Sequence, residues 1–144
     1  MILGVGTDIT DCRRLKSSLK RYPERFLSKI MSVQELNYIM EKNNKLKVSL
    51  GKDRVFSHFC LQVAKVFAAK EAFSKALGTG FRGGLRLLDV EIVRDNLGKP
   101  SFHLQPRALE LFDNLIPIGM EGHVHLSLSD EYPYAQAFVT LSAD

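Results

Sequence analysis

The chain has 144 residues, of which 45% are hydrophobic and 25% charged, a composition typical of one globular domain. No apolar run is long enough to cross a membrane, and no basic segment precedes the short apolar start, so the sequence predicts neither a membrane span nor a signal peptide. The two cysteines lack metal-ligand spacing, which argues against a disulfide framework and fits a reducing compartment. We therefore predict a single domain, residues 1–144, in the cytoplasm.

The first predicted element is a strand over Ile2–Ile9, in which Gly4 and Gly6 allow another segment to approach the backbone closely. Thr10 or Asp11 is predicted to cap the helical region that follows. Four apolar residues of this region recur at helical spacing and should face the core: Leu15, Leu19, Tyr22 and Phe26.

A different face of this helical region carries Arg14, Arg21 and Arg25. These arginines belong to a basic first half. Residues 1–60 hold 12 Lys and Arg against 6 Asp and Glu, whereas residues 61–144 hold 8 against 10. A basic half indicates an anionic partner, which is nucleic acid, an anionic surface or an acidic protein.

Pro23 should break or kink the helical region, and the sequence SVQE at residues 32–35 fits a capping box at the start of a further helix. Residues 42–55 are polar and basic with no clear period, so we predict a loop or an insert there. A long helix is then predicted to start near Ser57 and to end at Leu77.

The second half of the chain is predicted to contain strands and one further helix. Residues 88–92 alternate apolar with acidic side chains, which is typical of a half-buried strand, and a turn at 95–100 should return the chain as a hairpin. Pro106 begins a helix, and the alternating segments 124–129 and 135–141 are predicted to be strands. These elements predict an α+β fold, with short antiparallel strands, a long central helix and additional helices packed on the sheet.

The segment Phe67–Gly80, FAAKEAFSKALGTG, is the most informative part of the chain. It places Glu71 and Lys75 one helical turn apart among small residues, and a flexible backbone cluster ends the helix: Gly78, Thr79 and Gly80. Asp8 adds a second carboxylate near the start of the chain. Because these groups can hold a metal-bound phosphate, Asp8 and Glu71 predict a magnesium site. An exposed helix-surface pair is the alternative interpretation of Glu71 and Lys75.

Four segments in a fixed order carry a family resemblance: GVGTDIT at 4–10, FAAKEAFSKALGTGF at 67–81, DNLGKPSF at 95–102 and HLSLSDEYPYA at 125–135. Together they resemble holo-acyl-carrier-protein synthase, the small type of 4′-phosphopantetheinyl transferase, over nearly the whole chain. The resemblance implies that family's fold. It also implies a reaction for fatty acid synthesis, in which phosphopantetheine moves from coenzyme A to a serine of apo-acyl carrier protein and adenosine 3′,5′-bisphosphate is released.

The resemblance also implies roles for single residues. Asp8 and Glu71 match the family's metal-ligand positions, and Lys75 matches its phosphate-binding lysine, so these three are the predicted catalytic residues. Glu71 is also a candidate base for the incoming serine. The groups predicted to contact coenzyme A are Lys75, Gly78, Thr79, Gly80, His125 and Ser127. For His125 and Ser127, a structural role in the strand is the alternative.

The resemblance further implies a homotrimer that binds coenzyme A between neighbouring protomers. The acidic carrier protein is expected on Arg14, Arg21 and Arg25, and no nucleic-acid or membrane partner is expected. Val66 stands where many relatives have Arg, and Asp130 where some have His. The residues that could instead hold the 3′-phosphate are Lys47, Lys65, Arg82 and Arg86.

Two other functions stay open at this point. A magnesium-dependent hydrolase of nucleotide pyrophosphates would use the same carboxylates. A non-catalytic basic module for nucleic acid would explain the basic first half, although the sequence contains no recognisable nucleic-acid motif or aromatic stacking platform.

Overall fold

The structure, a computed structural model, describes residues 1–144. The strands are β1 (Ile2–Asp11), β2 (Val90–Arg94), β3 (Pro100–Leu104), β4 (Gly122–Glu131) and β5 (Tyr134–Ala143). The α-helices are α1 (Lys16–Arg21), α2 (Pro23–Ile30), α3 (Val33–Leu46), α4 (Lys52–Ala76) and α5 (Pro106–Asp113). Short 3₁₀ helices at Cys12–Leu15 and Leu87–Asp89 precede α1 and β2.

Strands β1, β5 and β4 form one antiparallel sheet in this order, and β2 pairs with β3 in a separate antiparallel hairpin. Helix α4 packs against β1 and β5 and is the central helix of the fold. Most of the buried apolar side chains form one hydrophobic core of 26 residues. This arrangement agrees with the predicted α+β class. None of the helices is long and apolar enough to cross a membrane.

Several predicted helix boundaries are observed. Asp11 caps the first 3₁₀ helix, because its side chain accepts a hydrogen bond from the Arg13 amide. Pro23 is the first residue of α2 and separates it from α1. At the start of α3, Ser32 and Glu35 form the predicted capping box, in which each side chain accepts a hydrogen bond from the other residue's backbone amide.

The predicted loop over residues 42–55 is confirmed only for residues 47–51 and is wrong for the rest, because α3 continues to Leu46 and α4 already begins at Lys52. Asn43 on α3 and Val55 on α4 are both buried, so each helix still buries one side in this segment, although neither residue belongs to the main hydrophobic core. Polar and charged residues occupy most of the other positions and hide the helical period of the few buried side chains.

Two glycines allow β1 to lie unusually close to α4. A Cβ atom on Gly6 would overlap the carbonyl oxygen of Ala72, and one on Gly4 would overlap the carbonyl oxygen of Ala76. The predicted role of the glycines in close backbone approach is therefore confirmed. Because alternate residues of a strand share a face, Asp8 points to the same side as Gly6, towards α4.

Candidate active site

Asp8 and Lys75 meet where β1 crosses the last turns of α4. The Lys75 Nζ atom donates hydrogen bonds of 2.9 Å to Asp8 Oδ1 and of 2.9 Å to the Thr7 carbonyl oxygen. The other Asp8 oxygen accepts a 2.8 Å hydrogen bond from the Thr10 hydroxyl. Asp8 is mostly buried, whereas half of the Lys75 side chain is exposed, so the carboxylate is held firmly and the ammonium can reach solvent.

Asp8 and Glu71 line one cavity of about 400 Å³, to which Arg14 and Phe67 also contribute. Burial raises the pKa of Glu71, the negative charge of Asp8 raises it further, and the positive charge of Lys75 lowers it. The two carboxylates are therefore close enough to repel each other.

A divalent cation fits this pair of carboxylates. Magnesium takes oxygen ligands and is commonly held by one or two carboxylates, while waters and substrate phosphates complete its coordination. A bound cation would also relieve the repulsion between Asp8 and Glu71, which contributes to the raised pKa of Glu71. The residues present thus suit the magnesium site that the sequence predicts.

A glycine-rich turn follows the last turn of α4, where Lys75 lies. Gly78 and Gly80 have φ angles of 78° and 60°, in the left-handed region that favours glycine. The Gly80 amide donates a 3.1 Å hydrogen bond to the Ser74 carbonyl oxygen, and the Thr79 hydroxyl donates to the Gly80 carbonyl oxygen. The predicted phosphate-contacting turn therefore follows directly on the helix end that carries Lys75.

The three arginines predicted to bind the carrier protein lie on three successive short helices rather than on one helix. Arg14 belongs to the 3₁₀ helix Cys12–Leu15, Arg21 ends α1 and Arg25 lies in α2. All three are exposed, and Arg14 lines the cavity that Asp8 and Glu71 share. The basic surface therefore begins at the candidate active site.

The fold does not bring His125 and Ser127 to the carboxylates. Both are exposed on β4, on the sheet face that points away from α4, and β5 lies between β4 and β1. The His125 Nε2 atom lies 3.4 Å from the Ser142 hydroxyl oxygen. Within one chain, Asp8 and His125 are thus on opposite faces of the same sheet.

Two of the four basic candidates for the 3′-phosphate are already paired with aspartates. Lys65 lies 2.7 Å from Asp130, and Arg86 lies 3.0 Å from Asp89. At the position where some relatives have a histidine, the carboxylate of Asp130 therefore pairs with Lys65. Arg82, in the loop after α4, is exposed.

Lys70, which precedes Glu71, forms a buried ion pair that the sequence interpretation missed. Its Nζ atom donates hydrogen bonds of 2.7 Å to Glu35 and of 2.6 Å to the Ile30 carbonyl oxygen. Glu35 also accepts a 3.0 Å hydrogen bond from the Ile92 amide. Burial lowers the pKa of Lys70, and the charge of Glu35 opposes this shift. The sequence signal for this buried ion pair was a single lysine within a run of alanine and phenylalanine residues.

Comparison with known proteins shows which family this chain resembles. The sequence model of the 4′-phosphopantetheinyl transferase superfamily matches residues 4–137. The holo-[acyl-carrier-protein] synthase of Caulobacter vibrioides (strain NA1000 / CB15N) is 42% identical over 143 residues, which cover 99% of this chain and 97% of that protein.

Solved structures of holo-[acyl-carrier-protein] synthases share the fold of this chain. The holo-[acyl-carrier-protein] synthase of Neisseria meningitidis superposes with a TM-score of 0.76 at 34% identity, covering 99% of each chain. That of Bacillus anthracis, solved in complex with CoA (3′,5′-ADP), gives 0.68 at 33% identity, covering 98% of this chain and 96% of the other. These matches confirm the predicted family, fold class and transferase function. The chain belongs to the holo-[acyl-carrier-protein] synthases of the 4′-phosphopantetheinyl transferase superfamily.

Proposed function

We propose that this chain, as one domain of residues 1–144 in the cytoplasm, transfers the 4′-phosphopantetheine group of coenzyme A to a serine of apo-acyl carrier protein. The reaction is magnesium-dependent and yields adenosine 3′,5′-bisphosphate and the holo-carrier protein used in fatty acid synthesis. The observation that carries the proposal is the meeting of Asp8, Glu71 and Lys75 at the crossing of β1 and α4.

In this proposal Asp8 and Glu71 hold the magnesium ion, which when bound neutralises charge on the pyrophosphate oxygens of coenzyme A. Lys75 supplies a compact cation with three donors, and its half-exposed side chain can leave Asp8 to contact the phosphate under attack. The backbone of the turn Gly78-Thr79-Gly80 contacts the same substrate.

Glu71 is the proposed general base. A carboxylate whose pKa is raised by burial accepts a proton more readily than an ordinary glutamate. Glu71, directly or through water, takes the proton of the carrier serine as the serine oxygen attacks the phosphorus. The bond to adenosine 3′,5′-bisphosphate then breaks, and this product leaves with the bonding electrons.

Neighbouring protomers of a homotrimer complete each site in this proposal. Asp8 and His125 lie on opposite faces of one sheet, so His125 and Ser127 can serve only a site formed with another copy. The outer sheet face also exposes large apolar side chains: Val5, Ile9, Tyr134 and Phe138. Contiguous exposed apolar side chains commonly mark an interface between proteins.

Mixing two inactive variants tests the shared site. Glu71→Ala and His125→Ala are expected to be inactive or impaired alone. Co-refolding them should restore some transfer, because in some sites of the mixed trimers one protomer supplies an intact Glu71 and its neighbour supplies an intact His125. Light scattering should give three times the mass of the chain. A monomer with full activity, or no recovery in the mixture, would overturn the assembly.

Intact mass of the carrier protein tests the activity itself. Incubation with coenzyme A, magnesium and apo-acyl carrier protein should add one phosphopantetheine group to the carrier. Cleavage of coenzyme A without a change in carrier mass would instead indicate the hydrolase. Nucleic-acid binding without any turnover would indicate the basic module.

A further inference from the structure

We propose that a second cavity, between α3 and the first turns of α4, binds an anionic amphiphile. The ligand class is a molecule with an apolar chain, one hydrogen-bond donor on that chain and a negatively charged head. The cavity shares no lining residue with the one that contains Asp8 and Glu71, and this proposal assigns its lining residue Lys47 to a ligand other than coenzyme A.

The size and wall of this cavity suit an apolar chain. Its volume is about 590 Å³, compared with about 400 Å³ for the cavity at Asp8 and Glu71. The apolar lining residues are Met40, Leu50, Val55, Phe56 and Phe59. Binding sites for small molecules commonly have volumes of roughly 300–1,000 Å³ and mostly apolar walls with a few polar groups.

One polar group in the wall lacks a partner. Asn43 is only 6% exposed, and its Oδ1 atom is buried without any hydrogen bond. A buried acceptor without a donor is unfavourable, so this amide has an unmet need for one. Asn43 lines the cavity, and rotation about χ2 exchanges its amide oxygen and nitrogen, so a hydroxyl on a bound chain can pair with whichever of the two faces the cavity, by donating to the oxygen or accepting from the nitrogen.

The mouth of the cavity is positively charged. Lys47 and Lys52 line it, and both side chains are exposed without an ion-pair partner within the chain. The ammonium of Lys20 lies 5.4 Å from the ring centre of Phe56, a further lining residue. A negatively charged head on the ligand complements these groups. An apolar side chain of an acidic protein would complement them too, but it would leave Asn43 unpaired.

Calorimetric titration with three ten-carbon probes, all below their micellar concentrations, tests each part of the proposed ligand. 3-Hydroxydecanoate should bind about 2- to 10-fold more tightly than decanoate, as expected for one hydrogen bond. Asn43→Leu should abolish this preference. The methyl ester of 3-hydroxydecanoate lacks the charge and should bind more weakly than the acid.

Two further kinds of variant locate the ligand. Lys47→Ala and Lys52→Ala should each weaken binding of the acids by roughly 2- to 5-fold, as for an exposed ion pair, and leave the ester unchanged. Lys45→Ala is the matched control, because Lys45 lies on α3 outside the cavity. Met40→Trp fills the mouth from an exposed position and should abolish binding of all three probes.

The proposal is overturned if no probe binds at millimolar concentration, or if Met40→Trp binds as the unmodified protein does. It is equally overturned if coenzyme A or apo-acyl carrier protein displaces 3-hydroxydecanoate, because the cavity would then belong to the transferase reaction. Thermal melts establish that each variant is folded. If Asn43→Leu fails to fold, two results decide whether the proposal holds: the preference of the unmodified protein for 3-hydroxydecanoate over decanoate, and the binding of the probes by Met40→Trp. Probe binding by a chain without transfer activity would contradict only the proposed function.

Discussion

The Nζ atom of Lys75 lies 2.9 Å from Oδ1 of Asp8, although the two residues are 67 positions apart in the chain. The contact exists because β1 passes close to α4 at Gly6, where any side chain would overlap the helix backbone. A cation is thus already placed beside one of the two carboxylates predicted to bind magnesium. An incoming ion has to share Asp8 with Lys75 or displace it.

Alanine variants of the three proposed catalytic residues, Asp8, Glu71 and Lys75, should separate metal binding from chemistry. Asp8→Ala and Glu71→Ala should each lower magnesium-dependent transfer by about 100-fold or more, since each removes an ionic group from the proposed site. Lys75→Ala should lower turnover more than it lowers magnesium affinity, because it frees Asp8 for the ion while removing the cation at the phosphate. Lys75→Arg should recover only part of the turnover. Steady-state kinetics against magnesium concentration measure both effects.

Glu41→Ala is the matched control for these variants. Glu41 forms an exposed ion pair with Lys45 at the same helical spacing as Glu71 and Lys75. Its loss should change stability by a few tenths of a kcal/mol and leave transfer unaltered. If Glu71→Ala behaves in the same way, the site assignment is wrong.

The pKa of Glu71 should respond to its two charged neighbours in opposite directions. Asp8→Asn should lower this pKa and Lys75→Met should raise it, because Asp8 raises it and Lys75 lowers it in the structure. Carbon-detected NMR titration of the metal-free protein measures both shifts. Equal pKa values in all three proteins would mean that these charges do not interact.

The same raised pKa gives a pH dependence of stability with a definite sign. The folded protein holds the Glu71 proton more tightly than the unfolded chain does, so protonation of Glu71 stabilises the fold. This contribution to the free energy of unfolding is complete below the ordinary pKa of 4.5 and is lost as pH rises through the raised pKa. Glu71→Gln should remove that part of the dependence in urea unfolding experiments. Transfer should change with the opposite sign and fall at low pH, since Glu71 must be ionised to bind the ion and to act as a base, and the bound cation should shift this fall below the raised pKa of the metal-free protein.

Gly6→Ala should destabilise the protein by about 1–3 kcal/mol or more, because the new methyl group would overlap the Ala72 carbonyl oxygen and push β1 away from α4. Gly51→Ser is the control, since a Cβ atom at this exposed position meets no atom within 4 Å. It should change the free energy of unfolding by less than about 0.5 kcal/mol. Equal stability of the two variants would contradict the close approach.

Lys70→Met should lower the free energy of unfolding by about 3–5 kcal/mol, because Glu35 would remain charged and buried without its partner. Removing both charges, in Lys70→Met with Glu35→Gln, should recover part of the loss. Lys45→Met removes a lysine from an exposed pair and should cost less than about 0.5 kcal/mol. Urea denaturation of the four proteins measures the differences, and a small effect of Lys70→Met would show that Glu35 is not held in the core.

Charge reversal at Arg14 or Arg21 should weaken binding of the acidic carrier protein, mainly through slower association, and should flatten its salt dependence. Coenzyme A affinity should change little for Arg21→Glu. Lys45→Glu, away from the cavity shared by Asp8 and Glu71, is the control. Stopped-flow association at two salt concentrations makes the comparison. Unaltered carrier kinetics in both arginine variants would exclude this surface.

Most of the helices and strands could be predicted from local patterns. The glycine spacing of β1, the capping box at Ser32 and the alternation of β4 and β5 each depend on neighbours in the chain, and the structure contains all of them. The segment 42–55 could not be assigned correctly. Its helices bury few side chains, and nothing in the local sequence reports which of them face the core.

The sequence by itself determined the family and predicted the carboxylates Asp8 and Glu71 and the lysine beside them as its site, because residue types and short spacings carry that information. Only the tertiary structure decided which groups meet. The Lys75–Asp8 contact, the buried Lys70–Glu35 pair and the placement of His125 on the far sheet face all depend on how α4 lies across the sheet. Packing between elements distant in the chain sets that arrangement, and local sequence patterns do not encode it.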